Sequence, residues 1–473
     1  MQSRNIFENI SPLDHRYWIS NQDLFDRLSL YLSEDGAVRY CAKAEIALVK
    51  THCLMRSVNL EGLDEHLDNV ARTLDVDAVY REEESTKHNI RALVNVLQIL
   101  IPEELAPLVH MGATSVDILD TAHACRMRDV TLEVVLPLMA ELLEALCALA
   151  EREASTPQIG RTHGQHAVPI TFGFAMAEYA ARFGKTLDLI AERARDLRGK
   201  LAGATGSYNA LSLLYAEPEK VEHLYLEQLG LAPSEHSTQL VEPEYLLRLL
   251  LEMNVAFGVL ANLADDLRNL QRSEIDEVRE GFAKTQVGSS TMPQKRNPWN
   301  SEHVKSLWKA YAPRVTTFFM DQISEHQRDL TNSASQRFVA EYIAGFCAAL
   351  RRMLGVVKSL HVNAEKMLAN IAMSKGSVLA EPAYILLAES GEAHAHEIIR
   401  KLTLEMEAGE LTFTEVLEKH ADIRERLERQ LAKAGYKDPE DFFRDPARYN
   451  GRARQKAEAL AKKYTEVAQR YKK

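Results

Sequence analysis

Cysteine is scarce: there are five, at Cys41, Cys53, Cys125, Cys147 and Cys347, with no CxxC pair and no metal-ligand spacing. This excludes a disulfide scaffold and a structural zinc module, and it predicts buried thiols in a reducing compartment, the cytoplasm. Long apolar runs are also missing. Charge interrupts each of them well before about 18 residues, and the opening MQSRNIFENISPLDHRYW has no apolar centre of signal-peptide type, so neither a membrane span nor a secretory address is expected. Positive charge is in deficit, with 57 Lys and Arg against 68 Asp and Glu, a formal net charge of −11. That balance argues against a nucleic-acid partner while leaving room for local cationic pockets that hold an anionic small molecule. With 46% hydrophobic and 26% charged residues, composition excludes disorder and collagen-like repeats.

What is present is helical periodicity. Leu132, Val135, Leu136, Met139, Leu142, Leu143, Leu146 and Ala150 recur at three- and four-residue steps, the stripe of an amphipathic helix that Pro137 should bend without ending. Similar stretches cover roughly 169–200, 242–275, 298–326 and 334–360, with few glycines and little β-branched alternation, so the fold class is all-α. Helices of about thirty residues are about 45 Å long and suit an elongated antiparallel bundle. Breaks at Gly203–Asn209 and over 281–297 read as loops. The expected division is residues 1–109, a central bundle at 110–362, and 363–473. The segment Gly451–Lys473, with eight basic residues against two Glu, is expected to be a solvated terminal helix packed on its own domain. His394-Ala-His396-Glu397 reads as part of a surface helix.

The stretch Gly288-Ser289-Ser290-Thr291-Met292-Pro293-Gln294-Lys295-Arg296-Asn297-Pro298 concentrates hydroxyls, cations, amides and prolines. Any Gly-Ser-Pro loop can join two helices without doing chemistry. Here Gly288 permits a hinge, and Lys295 and Asn297 stand just before Pro298, a favoured first helical residue. Free amides and a cation converging on a helix start would form an anion site able to hold a carboxylate. The GxxxxGK[ST] order of a nucleotide P-loop is absent.

This stretch resembles the signature loop of the fumarase/aspartase superfamily, whose members eliminate fumarate from succinyl-bearing substrates. Ser11-Pro-Leu-Asp-His-Arg-Tyr17 resembles the opening motif of the adenylosuccinate lyase family within it. So, in order and spacing, do Ser85-Thr-Lys-His88-Asn89, His110-Met-Gly-Ala-Thr114-Ser115-Val-Asp117, Gly160-Arg-Thr-His163-Gly-Gln-His166, Ser237-Thr-Gln239 and Arg328-Asp-Leu-Thr-Asn-Ser333-Ala-Ser-Gln-Arg337. The resemblance implies three helical domains around a homotetrameric twenty-helix bundle whose sites draw on three subunits. It also implies a nucleotide substrate and no cofactor.

Elimination needs a base, an acid and a carboxylate clamp. By resemblance Ser289 is the general base, with Ser290 the adjacent alternative, and His163 is the general acid. Glu302 orients His163, while His88 and His110 are auxiliary groups. Lys295, Arg296 and Asn297 stabilise the anionic centres. Thr114 and Ser115 receive a fumaryl carboxylate and Gln239 the other substrate edge. Arg16, Tyr17, Arg328, Ser333 and Arg337 reach phosphate and ribose, and Lys87 and Asn89 the nucleotide side. His163 and His166 have HxxH spacing, but no carboxylate or cysteine set completes it, so no metal is expected.

The sequence departs from the family pattern at Met292-Pro293-Gln294-Lys295, at Leu240-Val-Glu-Pro243 and at His303. Other superfamily chemistry remains as an alternative, argininosuccinate lyase or carboxymuconate cycloisomerase. So does a catalytically silent scaffold, against which stand His163, Ser289, Lys295 and Glu302 together.

Overall fold

The computed structural model describes residues 5–282, 291–292 and 294–472. The chain opens with six helices: α1 (Arg16–Ser20), α2 (Gln22–Leu32), α3 (Glu34–Met55), α4 (Asp64–Thr73), α5 (Val76–Thr86) and α6 (Asn89–Leu100). Ser33 starts α3 by accepting the Gly36 N–H at 3.0 Å, and His88 starts α6 by accepting the Arg91 N–H on Nδ1 at 3.3 Å. Each cap satisfies a donor that the first helical turn leaves without a partner. From Cys41 to Cys53 almost all of α3 is buried, including the polar Glu45, Lys50, Thr51 and His52.

Next come α7 (Ser115–Val130) and α8 (Leu136–Arg152), joined without a break by one π-helical segment, Thr131–Val135. Pro137 sits in the first turn of α8. The wider π turn lies just upstream, where proline removes an amide donor. The hairpin β1 (Pro157–Thr162) and β2 (Gln165–Thr171) leads into α9 (Phe172–Arg195), β3 (Arg198–Gly199), α10 (Pro218–Gln228), β4 (Ala232–Pro233) and α11 (Glu244–Leu270). Then follow β5 (Val278–Arg279), α12 (Trp299–Tyr311), α13 (Val315–Met320), α14 (Val339–Ser359) and β6 (His361–Val362).

Helix α8 packs on α9, α9 on α11, α11 on α12, α12 on α14, and α14 back on α8, a closed ring around the main core. By length and composition α11 could cross a membrane, yet 56% of its most apolar window is buried in this ring. The all-α expectation holds, with three two-stranded ladders added among the described residues. Two boundaries differ from expectation. Residues 165–171 form a strand, so α9 starts only at Phe172, capped by Thr171. The stretch 298–326 breaks at the 3-10 turn Ala312–Arg314, where Pro313 lacks the amide that would continue α12.

The last helices are α15 (Ala364–Ala372), α16 (Ala380–Glu389), α17 (Ala395–Ala408), α18 (Phe413–Lys419), α19 (Ala421–Lys433) and α20 (Ala453–Gln469). A second, smaller core gathers Leu379, Leu387, Leu402, Phe413, Leu427 and Phe442. His394 and His396 are exposed at the start of α17. The terminal helix does not stay with this unit. It returns to lie on α8 and α9, burying Ala457, Ala461, Tyr464 and Val467 in the main core, which corrects the expectation of a helix on its own domain. Small alanines and one aromatic on its inner face fit the groove, and its basic residues cover the outer face.

The close approach depends on Gly184 of α9, because a Cβ there would overlap the Tyr464 ring. Gly184→Ala should therefore destabilise the protein by about 1–3 kcal/mol through overpacking, although alanine is otherwise the better helix former by about 1 kcal/mol. Chemical denaturation at fixed protein concentration checks this, and adding Tyr464→Ala should remove the Gly184→Ala penalty.

Candidate active site

One group of motif residues is assembled around a buried ion pair. Thr114 caps α7 in a capping box with Asp117, whose carboxylate accepts the Thr114 N–H at 2.8 Å. The same carboxylate accepts the Ala202 N–H at 3.2 Å and the Gly203 N–H, and it pairs with the Lys200 ammonium; neither side chain has any exposure. Lys200 also donates to the Gly203 carbonyl at 3.0 Å, and its backbone is held by Thr121 of α7. The 203–209 loop is thereby fastened beside Thr114 and Ser115.

Further contacts extend the group. A Cβ on Gly206 would overlap the Ser237 carbonyl, so the glycine lets the loop lie against the Ser237-Thr-Gln239 segment. The Gln239 N–H donates to the Gln327 carbonyl at 3.2 Å, next to Arg328. Asp120 accepts the Val241 N–H at 2.9 Å, and burial pushes its carboxyl up to about 6. His110, Thr114, Ser115, Gln239 and Arg328 thus belong to one contiguous region of a single chain. Arg328 donates to the Gln322 carbonyl and Ser324 Oγ, both at 2.9 Å, while Ser333 and Arg337 are exposed further along the same loop.

His163 lies elsewhere, exposed at the tip of the β1–β2 hairpin. Thr162 pairs with Gln165, and the two residues between them, His163 (φ 54°) and Gly164 (φ 75°), are both left-handed. This is the two-residue turn that fits strand twist, with histidine at a position that normally favours asparagine or glycine. The hairpin base is anchored by the fully buried Glu277. It accepts from Arg161 at 2.6 and 3.2 Å, from Gln158 at 2.8 Å and from Asn370 of α15 at 2.8 Å. His166, across from Arg161, has its pKa lowered by burial and by that guanidinium.

Three residues beyond Glu277, Glu280 anchors the start of α12. Its carboxylate accepts the N–H and Oγ–H of Ser301 at 2.7 and 2.6 Å, and the N–H and side-chain amide of Asn300 at 3.1 and 3.0 Å. Glu280 itself is the anion at this helix start, so those amides are not open to a ligand, which corrects the sequence-based expectation. The helix begins at Trp299, with Pro298 as its N-cap rather than its first residue. Ser289 and Ser290 lie outside the described residues. Lys295 and Arg296 are exposed, and the Arg296 carbonyl accepts from Gln271 at 3.3 Å.

Glu302 is exposed in the first turn of α12, and among the described residues no hydrogen bond joins it to His163. Its neighbour His303 meets the Tyr17 hydroxyl at 2.8 Å. Burial, then Arg352, lowers the His303 pKa, and burial raises that of Tyr17, so both groups are favoured in their neutral forms. Arg16 is exposed, its guanidinium over the Phe7 ring. Lys87, His88 and Asn89 form an exposed corner between α5 and α6. Lys87, His110, His163 and Arg328 all have positive φ, a conformation costly for side-chain-bearing residues that recurs at functional sites.

A lyase family model matches residues 9–309, and a model of the adenylosuccinate lyase C-terminal region matches residues 324–437. The chain belongs to the adenylosuccinate lyase family. It is 31% identical over 452 residues to adenylosuccinate lyase of Pyrococcus horikoshii, covering 94% of this chain and 96% of that one. Against the adenylosuccinate lyase of Aquifex aeolicus it is 32% identical over 375 residues, covering 78% and 84%. Its fold matches crystal structures of 3-carboxy-cis,cis-muconate lactonizing enzyme from Pseudomonas putida and of fumarate lyase from Mesorhizobium sp. BNC1. The TM-scores are 0.77 and 0.76, with 24% and 23% identity; coverage is 98% of this chain and 100% of the first, 92% and 97% for the second.

Glu45 of α3 accepts the His110 N–H at 3.0 Å and lies 2.7 Å from its Nδ1. Sequence motifs identified Thr114 and Ser115 but not Lys200, Glu45, Glu277 or Glu280, which hold the motifs in place. Their only signal was a charge inside an otherwise apolar or loop context. Lys200→Met should leave Asp117 buried without its cation and cost about 3–5 kcal/mol, whereas Lys200→Met combined with Asp117→Asn should recover much of that loss. Urea titration of the three proteins measures both effects.

Proposed function

We propose that this enzyme eliminates fumarate from adenylosuccinate to give AMP, and from the succinylated aminoimidazole carboxamide ribotide to give its free carboxamide. The match to the adenylosuccinate lyase C-terminal region over residues 324–437, following the lyase match over 9–309, carries this reading. Ser289, with Ser290 as alternative, takes the proton next to the substrate carboxylate. His163 protonates the departing nitrogen, a task suited to an imidazole. Glu302 orients His163, and Lys295, Arg296 and Asn297 stabilise the carbanionic intermediate. Thr114 and Ser115 receive a carboxylate with His110 beside them, and Gln239 holds the other edge. Arg16, Tyr17, Arg328, Ser333 and Arg337 take phosphate and ribose, with His88, Lys87 and Asn89 on the nucleotide side.

A single chain leaves His163 exposed on a hairpin without a bond to Glu302, which supports a site completed by other subunits. Phe319, Met320, Ile323, Leu330 and Phe338 are exposed together around α13 and the loop after it, an apolar surface suited to assembly. We therefore read the working form as a homotetramer with shared sites. The five buried free thiols fit a cytoplasmic location, and we read the chain as divided at 109/110 and 362/363, with α20 alone returning to the main core.

Fumarate release, followed by ultraviolet absorbance with adenylosuccinate, argininosuccinate and malate offered in turn, tests the substrate. Turnover of adenylosuccinate is expected, and turnover of argininosuccinate alone overturns the reading. Ser289→Ala and His163→Ala should each lower kcat at least about a hundredfold, with assembly unchanged by size-exclusion chromatography.

A further inference from the structure

Helix α1 is five residues long and buries none of them, so it offers little packing of its own to hold a side chain in place. Tyr17, its second residue, is half-buried, and the Asn21 side chain closes the turn by donating to the Tyr17 carbonyl at 3.0 Å. What fixes the ring comes from far along the chain. Among the described residues the Tyr17 hydroxyl has one hydrogen-bond partner, His303 Nε2 at 2.8 Å, 286 positions away, and the two rings are tilted with centroids 5.7 Å apart.

His303, by contrast, projects from a fixed root. It stands two residues beyond Ser301 on α12, and Glu280 grips that residue through both its N–H and its hydroxyl. Arg352 of α14 braces the same turn: its guanidinium lies over the Trp299 ring at 5.0 Å and donates to Asn300 Oδ1 at 2.8 Å. The anchored partner is therefore His303, and Tyr17 is the side chain being placed. Tyr17 also lines a cavity of about 260 Å³ together with Asn21, Asn300 and Arg352. Glu280 lines it too, with both carboxylate oxygens engaged by Asn300 and Ser301, whereas the Arg352 guanidinium makes no ion pair among the described residues. The space beside the phenol thus has a cationic wall suited to an anion.

We propose that His303 is a positioning residue that acts through Tyr17, holding the phenol so that its hydroxyl meets the phosphate-bearing end of the substrate. The inference rests on the lyase reading and on Tyr17 as a nucleotide contact within it. A neutral imidazole suits the task because its nitrogen can either donate to the phenol oxygen or accept from the phenol O–H. When it donates, the phenol keeps its own O–H for a substrate oxygen, and the bond to His303 need not break as substrate binds. His303 is also a position at which the sequence departs from the family pattern, so no motif assigns it this role. Because the phosphate lies at the opposite end of adenylosuccinate from the bond that is cleaved, losing the His303 contact should weaken binding and leave the chemical step alone.

A double-mutant cycle on the assembled enzyme tests this, with His303→Phe, Tyr17→Phe and the pair assayed for fumarate release from adenylosuccinate. His303→Phe keeps an aromatic ring and removes the nitrogen. Tyr17→Phe should raise KM about tenfold and His303→Phe about three- to tenfold, each with kcat within about twofold of the wild type. The pair should lose no more than Tyr17→Phe alone, because a residue that acts only through the hydroxyl has nothing to hold once the hydroxyl is gone. His303→Gln, which keeps a donor and an acceptor, should recover most of the KM. A merely structural defect would lower the active fraction, and with it kcat, and would persist beside Tyr17→Phe.

KM losses that multiply in the pair overturn the proposal, and so does a wild-type KM in His303→Phe beside a raised KM in Tyr17→Phe. If His303→Phe does not assemble, His303→Leu completes the cycle. Calorimetric titration of the same proteins with AMP, which carries the phosphate and no succinyl arm, repeats the cycle without turnover and is read by the same criterion. Absence of fumarate release by the wild type is a separate result that overturns the functional reading, while AMP affinities still decide whether His303 acts through Tyr17.

Discussion

The Asp117–Lys200 pair is the constraint around which the motif region is organised. Two opposite charges without solvent exposure are stable together and costly apart. Neither acts alone: the carboxylate also takes three backbone donors from two chain segments, and the ammonium also reaches a carbonyl. The pair therefore closes a geometry as well as compensating charge. It joins the start of α7 to a loop more than eighty residues later, and that loop in turn supports the Ser237–Gln239 segment and, through it, the turn at Gln327 and Arg328.

The same device is used elsewhere with different partners. Glu277 ties the hairpin bearing His163 to α15, and Glu280 ties the chain before the signature loop to the helix after it. Only Val278 and Arg279 separate these two anchors, so one short segment sets both the base of the hairpin and the start of α12. Glu45 does for His110 what these residues do for their elements. Exposed groups such as His163 are carried on parts whose roots are fixed by buried carboxylates with every oxygen engaged, which suits a site that needs placement within fractions of an ångström.

The bundle was legible because its signal is repetitive. The stripe from Leu132 to Ala150 and the long apolar stretches give the same answer at many positions, and a closed ring of helices is the way such faces are buried. The motif positions were legible because their residue types occur together in few other contexts. The anchors were not. Glu45, Glu277 and Glu280 look in sequence like ordinary acidic residues, and Asp117, although it stands inside a motif, gives no sign that Lys200 is its partner; only the folded chain reveals which of them is compensated and by what. The hairpin at 157–171 was missed for a different reason. Its alternation of Ile159, Thr162, Val168 and Ile170 is short, interrupted by Gly160 and a bulge, and adjoins a helix of stronger period.

The return of α20 to the groove between α8 and α9 has a bearing on how the molecule is made. Synthesis proceeds from the amino end, so the surface around Gly184 and its flanking alanines stays uncovered until Ala453–Gln469 has left the ribosome. The central bundle cannot complete its core before that segment has been made. Maturation of the scaffold waits on this distant helix, and a chain cut short before Ala453 would emerge with an oily furrow still open to its neighbours.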